Sequence, residues 1–446
     1  MARPRPPRAS ERGAALLLAV VSVAILTALA VDLAYETQVR LRTAAHARDA
    51  LRAEGLARSG VTLARLMVSL QQQVDTVSKV ACNTQASGAA QPTAACLRIQ
   101  VWNMVSVSSS FATSLFGDAG AAPSPPAAAP AGGEGAAAVA KVRWGDFDGG
   151  FETRIEDESS KINVQLDDLE KSGAGTLGPK VEALLGLVCD SKWDPLFSRS
   201  DFSGQRYSRT DLLVHLRDWV DDDTNASGLH ASFPGGNCSF EVLNPAFQKG
   251  FSDENFPYDR GTDRYKAKNH RFDSVEELHL VAGVTDAFMA AFGDQFTVYV
   301  PREAGRNVNT DVPREQFENA RLAADRASEV VFRDPEFLGR LRKEMLEARM
   351  GGLVSITPVQ FALVLQQRLG VNVRPQFLTQ GPDNPFTDST LVYRIRSSAV
   401  AGDVTHTTDA VVSYDPRLLP EHEKLKPGQK VNMNPPLGRL IRWREE

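Results

Sequence analysis

At 446 residues the chain can bury a sizeable core and has room for two or three domains. Charged residues make up 24% and hydrophobic residues 42%, which excludes a disordered chain. A net charge of −5 argues against a basic nucleic-acid-binding surface, so no nucleic-acid partner is expected.

Residues 1–13, MARPRPPRASERG, carry Arg3, Arg5, Arg8 and Arg12 against Glu11. Positive flanks stay cytoplasmic, which places the chain beyond Val31 outside the cytoplasm. Ala14 to Val31 is uncharged. As a helix it would span about 27 Å, close to the bilayer core of roughly 30 Å. An A-x-A cleavage site at Ala28–Ala30 would instead make this a secretory signal and the product a secreted soluble protein. The following residues argue for retention. No proline occurs from Ala14 to Gln91, and Leu51, Leu56, Leu63, Leu66, Met67, Leu70 and Val74 recur at helical spacing, as one apolar face. The spacing predicts one long helix, with a transmembrane half at 14–31 and a stem at 32–78. Gly55 and Gly60 weaken it by about 1 kcal/mol each relative to alanine.

A basic leader ending in glycine, then an apolar helix continuing as a stem, resembles the type IV pilins and type II secretion pseudopilins. The resemblance implies cleavage by prepilin peptidase after Gly13, leaving Ala14 as the new N-terminus with its helix intact. Leu18 stands at the fifth position after the cut, where the family usually has glutamate; Ala14 replaces the usual large apolar first residue. A subunit lacking that carboxylate offers no counter-charge to the amine of a subunit ahead of it. That departure resembles the K-type minor pseudopilin.

Four cysteines, Cys82, Cys96, Cys189 and Cys238, show no CxxC spacing, so zinc is not expected. Behind an export segment they favour two disulfides. Of three possible pairings, nearest neighbours (Cys82–Cys96 and Cys189–Cys238) keep each loop within one domain; plain buried thiols are the alternative. Residues 79–140 form a variable region ending in an Ala/Pro/Gly-rich linker, Asp118 to Lys141.

Alternation around Phe151, Thr153 and Ile155 predicts antiparallel strands at 141–166. Within them RIEDESSKINVQ, Arg154 to Gln165, resembles the K-type phrase DE-x-gKIN-N; its plain reading is a hairpin with charges at the turn. Residues 167–293 read as an inserted helical domain. Its FDSVEELHLVAGVTDAFMAAF, Phe272 to Phe292, resembles a helix-hairpin-helix turned at Gly283. It has no Lys or Arg after Arg271, so a packing role is expected rather than DNA contact. Strands return at 294–310, where NVNT (Asn307 to Thr310) again matches the K-type pattern. A second helical region at 311–390 and C-terminal strands and tail at 391–446, with a hairpin at Ala401–Asp403, complete the chain.

No catalytic constellation is present. Seven histidines are scattered without an H-x-x-x-H pair, and GxSxG and P-loop patterns are missing. The strongest ligand candidate is Asp221, Asp222, Asp223 and Asn225, behind a helix whose C-terminal dipole disfavours acids. Asp221, Asp223 and Asn225 open like a calcium loop, but Ala226 and Ser232 stand where an EF-hand needs glycine and glutamate. The run either faces water or binds a cation; the K-type resemblance implies calcium.

The fold expected is α+β: a pilin-like long N-terminal helix, a small antiparallel sheet, and a large inserted, mainly α-helical domain. The resemblance implies a non-enzymatic minor pseudopilin at the tip of the type II secretion pseudopilus. It would help initiate assembly and export folded proteins across the outer membrane. Implied partners are I- and J-type minor pseudopilins, an H-type subunit, prepilin peptidase, and secreted substrates or the outer-membrane channel. It would be a single-pass inner-membrane protein with its bulk in the periplasm. The alternatives are a K-like minor pilin of a type IV pilus and a membrane-anchored or secreted periplasmic enzyme.

Overall fold

The structure, a computed structural model, describes residues 9–85, 98–104, 106–116, 142–144, 147–166, 178–198, 200, 204–232, 241–259, 264–301, 303–379, 381, 384–418 and 437–446. The Ala/Pro/Gly-rich linker, Cys96 and Cys238 lie outside the described residues, as do the first eight residues of the leader and the Cys82 side chain.

One helix, α1 (Ala9–Gln85), runs unbroken through the apolar segment and the stem. At 1.5 Å per residue its 77 residues extend about 115 Å. Hydroxyls in and just beyond its apolar half bond back to their own helix: Ser22 to the Leu18 carbonyl and Thr27 to the Val23 carbonyl, both at 2.7 Å. Such internal satisfaction is what a lipid environment demands. It is long and apolar enough to cross a membrane, with a mean hydropathy of 2.8 over its best window and none of that window buried.

Below that segment α1 lies on an antiparallel sheet. In chain order the first elements are β1 (Arg98–Ile99), α2 (Val101–Met104), β2 (Val107–Ser108), α3 (Ser109–Phe116), β3 (Val142–Trp144) and β4 (Phe147–Asp157). The hairpin β12 (Val392–Ala401) and β13 (Val404–Ser413), with β14 (Arg439–Glu445), completes the sheet. Its order is β14-β13-β12-β4-β2, with β3 paired to β4. Ser397 of β12 faces Thr153 of β4, and the hairpin turns at Gly402, whose φ of 58° suits glycine.

Packing on this sheet corrects the expected single apolar face of the stem. Ala53, Ala57, Val61, Ala64 and Val68 are buried against Phe151, Ile395, Ala399, Ala410 and Val412. Leu56 and Met67 of the expected face are buried with them, and small residues let the helix axis approach the strands closely along this seam. Gly60 is its tightest point: an added Cβ would strike the Ser397 and Thr153 hydroxyls and lie 2.8 Å from the Phe151 ring. Leu66 and Leu70 remain 42% and 44% exposed, and Leu51 and Val77 about 70%.

The helical blocks are inserted between β4 and β12 in two consecutive steps. β5 (Ile162–Asn163) precedes α4 (Pro179–Val188), α5 (Asp194–Ser198), α6 (Arg209–Asp218), β6 (Asn225–Ser232), β7 (Glu241–Asp253) and α7 (Asp286–Phe292). The chain then returns as β8 (Phe296–Thr297), parallel to β5. Next come β9 (Arg306–Asn307), α8 (Pro313–Ala323), α9 (Phe337–Ala348), β10 (Val354–Ser355) and α10 (Pro358–Leu369). β11 (Phe386–Thr387) closes this block, parallel to β9. Each block has its own core, one around Leu185, Leu212, Trp219 and Phe292, the other around Phe337, Leu341, Phe361 and Phe377.

Three local expectations change. The first block is not wholly helical, because β6 and β7 pair antiparallel within it. The first limb of the helix-hairpin-helix-like stretch is a 3-10 turn, Val275–Leu280, and only the second is α-helical. Gly283, at φ 92°, joins them against the Tyr207 ring. The returning strands at 294–310 are two-residue pairings, too short to form a sheet of their own.

Candidate functional site

α6 starts at Ser208, whose side chain and that of Asp211 form a reciprocal capping box. It ends at Asp218, which accepts the Ser227 amide at 3.1–3.2 Å and so ties the helix end to β6. The acidic run falls in the turn between them. Asp221, Asp223 and Glu254, just after β7, place carboxylate oxygens within 4.8 Å of one another. Of the predicted ligand set, Asp221 and Asp223 belong to this group. Asp222 is exposed and outside the group, and Asn225 is exposed, with its amide capping the Asp223 carboxylate at 2.8 Å.

Glu254 is the residue the sequence did not reveal. It lies 29 positions beyond Asn225, and no local spacing links it to the acidic run; only the β6–β7 hairpin brings it back. It is 2% exposed, and both carboxylate oxygens are buried without a hydrogen-bond donor. Burial, with a side-chain contact to Asn269 opposing it and Asp221, Asp218 and Asp223 adding repulsion, pushes its pKa up to about 7. Asn269 holds left-handed backbone at φ 49°. Its amide donates to the Asp223 carbonyl at 2.7 Å, while its own side-chain oxygen is buried without a donor. Arg217 is the nearby cation, 4.0 Å from Asp221.

Buried oxygens lacking donors, beside two further carboxylates, are what a hard divalent cation satisfies. The donor set is all oxygen, which suits calcium or magnesium and not zinc. Asp221, Asp223 and Glu254, with the Asn269 amide oxygen, are the groups that would hold it.

The phrase RIEDESSKINVQ proves to be a buried junction, not a charged turn facing water. Glu158 is 0% exposed and accepts Lys161 Nζ at 2.8 Å and Arg394 Nε at 2.5 Å. Burial opposes its ionisation, but the two cations prevail and hold its pKa down to about 2. Asp157 accepts from Asn307 Nδ2 at 2.6 Å and Thr390 Oγ1 at 2.8 Å; burial still raises its pKa to about 7. Asn163 donates to the Val300 carbonyl and Asn309 to the Ile356 carbonyl. Asn163 and Asn309 supply these bonds within the inserted region, where the paired strands are only two residues long, and Asn307 ties β9 to Asp157 of β4 in the sheet.

On the stem, Leu66, Leu70 and Val77 are exposed at helical spacing away from the sheet, a second apolar stripe beside the buried one. Gly13, Ala14 and Leu18 all lie within α1, with Leu18 69% exposed. Cys189 is buried at the end of α4, and Arg321 Nη2 donates to its sulfur at 2.9 Å.

No protein-family model matches the chain, and no curated protein matches it. Among solved structures, similarity is found to a chain of the GspK-GspI-GspJ complex from the type 2 secretion system of enterotoxigenic Escherichia coli. The identity is 13% and the TM-score 0.37, with 60% of this chain and 76% of that chain covered.

Proposed function

We propose that this chain is a K-type minor pseudopilin of a type II secretion system, cut after Gly13 by prepilin peptidase and anchored by residues 14–31. The bulk of the chain then works in the periplasm. The observation that carries this reading is the division of labour along α1. Its first half is apolar and bare; its second half buries one small-residue seam on the sheet and leaves a second apolar stripe uncovered. A helix built in this way is suited to pack beside the stem helices of other subunits, here the I- and J-type pseudopilins with an H-type subunit below. The role is binding, not catalysis. Leu18 supplies no counter-charge to a subunit ahead, and the two inserted blocks add bulk between β4 and β12, as suits a tip subunit that meets cargo or the outer-membrane channel.

The test is N-terminal sequencing after co-expression with prepilin peptidase. Ala14 as the mature first residue supports the reading, and a start at Val31 overturns it. Gly13→Leu should block the cut. Capture by I- and J-type pseudopilins, and not by the minor pilins of a type IV pilus, separates this reading from its nearest relative.

Two accompanying proposals concern stability outside the cytoplasm. Calcium is the cation for Asp221, Asp223 and Glu254, supported by the buried oxygens of Glu254 and Asn269. Cys189 pairs with Cys238, supported by the disulfide state of its sulfur and by the 49-residue separation within one block. Cys82 would pair with Cys96.

A further inference from the structure

Leu338 and Leu346 share the outer side of α9 and are 37% and 40% exposed. In the turn after the helix Met350 is 61% and Leu353 43% exposed. In helical projection Arg342 falls to one side of Leu346 and Lys343 to the other. This face carries charge of one sign. Arg342 and Lys343 are exposed and have no ion pair among the described residues. The nearby acids are taken up elsewhere: Glu344 and Glu347 by Arg368 of α10, at 3.0 and 3.5 Å, and Asp311, beside the turn, by Arg349.

The turn is preorganised. Met350, Gly351 and Gly352 hold left-handed backbone, at φ 49°, 76° and 93°. That conformation is uncommon for a methionine. It is held by the Gly351 amide, which donates to the Leu346 carbonyl at 2.7 Å, and by the Val354 amide, which donates to the Arg349 carbonyl at 3.1 Å. Arg349 is 1% exposed and donates to the Gln100 side chain at 2.7 Å, so the base of the turn is fixed while its apolar side chains stay outside.

The face also lies far along the stem. The Leu353 carbonyl accepts the Gln100 amide, and the adjoining Ile99 carbonyl accepts Gln71 Nε2 of α1, both at 2.9 Å. Gln71 stands about 60 Å beyond Val31 at 1.5 Å per residue. This distance from the lipid that would hold residues 14–31 rests on the anchoring proposed above, which N-terminal sequencing tests separately.

We propose that this face docks on an anionic phospholipid surface, on a membrane other than the one that holds α1. Met350 and Leu353 enter the headgroup layer, Leu338 and Leu346 lie along it, and Arg342 and Lys343 meet the phosphates. An apolar helix side bordered by cations, with its acids neutralised away from it, fits that chemistry. The chain's net charge of −5 opposes non-specific attraction to such a surface, so binding depends on this local face.

The test holds the full chain in phosphatidylcholine nanodiscs, which occupy α1, and measures co-sedimentation with sucrose-loaded vesicles. The vesicles are either equimolar phosphatidylglycerol and phosphatidylcholine or phosphatidylcholine alone. The chain should sediment with the anionic vesicles and not with the neutral ones. Met350→Asn/Leu353→Ser and Arg342→Gln/Lys343→Gln should each weaken binding at least tenfold. Both should melt as wild type does, since all four side chains are exposed and asparagine tolerates left-handed backbone. Arg154→Gln/Arg396→Gln removes two exposed cations from the sheet and should bind as wild type does. An acidic amphipathic peptide of repeated Leu-Glu-Glu-Leu is the competing probe. Capture of the peptide without sedimentation assigns the face to a protein partner and overturns the proposal. Equal sedimentation with both vesicles, none with either, anionic binding that survives either double substitution on the face, or an equal loss in the sheet control also overturns it.

Discussion

Asp157 and Glu158 are adjacent, both buried, and pushed in opposite directions: the first up to about 7, the second down to about 2. Asp157 meets only neutral donors, Asn307, Thr390 and the Ser159 amide, so burial prevails. Glu158 meets Lys161 and Arg394, so ion pairing prevails. The stability linked to Glu158 is therefore present above its unfolded value of 4.5 and lost as pH falls toward 2. That linked to protonated Asp157 is present below 3.8 and lost as pH rises through about 7. Urea denaturation from pH 3 to 8 should show both limbs. Asp157→Asn should make the decline between pH 4 and 7 shallower and leave the acid limb; an unchanged upper limb would count against this assignment.

Glu158→Gln breaks a buried pair and leaves Arg394 with Asp409 at 3.4 Å as its remaining partner. A loss of about 3 kcal/mol is expected. The check is the urea midpoint at pH 7, with Glu156→Gln, whose side chain is 33% exposed, as the control that should change little.

The two stem glycines should respond with opposite signs. Gly55 has open space around its Cβ position, so Gly55→Ala should stabilise by about 1 kcal/mol through helix propensity. Gly60→Ala forces the helix off the Ser397 and Thr153 hydroxyls and should lower the melting temperature by several degrees. Equal effects at the two positions would rule out the close seam.

Calcium should raise the melting temperature, and chelator should reverse it. Glu254→Gln and the pair Asp221→Ala/Asp223→Ala should remove the response, whereas Asp222→Ala should retain it, since Asp222 lies outside the cluster. A response lost with Asp222→Ala but kept in Glu254→Gln would restore the contiguous acidic run as the site.

Leu66→Glu/Leu70→Glu tests the bare stripe. Both side chains are more than 40% exposed, so the isolated chain should keep its melting temperature within a degree or two. Capture of stem-bearing partner subunits should fall at least tenfold. Unimpaired capture would remove the stripe from the assembly face.

The long helix was legible because its evidence is local: an apolar run, no proline, and a basic flank fix where a helix forms and which part suits lipid. The strands at 147–157 and 392–413 were equally readable from alternation and a glycine turn. Which stem face meets the sheet was not, since leucine periodicity marks apolar surface without saying what covers it. The seam joins Leu56 and Met67 of that stripe with alanines and Gly60, because axis-to-strand distance rewards small side chains. The acidic cluster divides in the same way. Asp221 and Asp223 announced themselves by spacing, but Glu254 and Asn269 arrive through the β6–β7 hairpin and a left-handed turn, and only the fold brings them together. Likewise, nothing local distinguishes Asp157 from Glu158. Their opposite ionisation is decided by which distant side chains, Asn307 and Thr390 or Arg394, the tertiary structure lays against each.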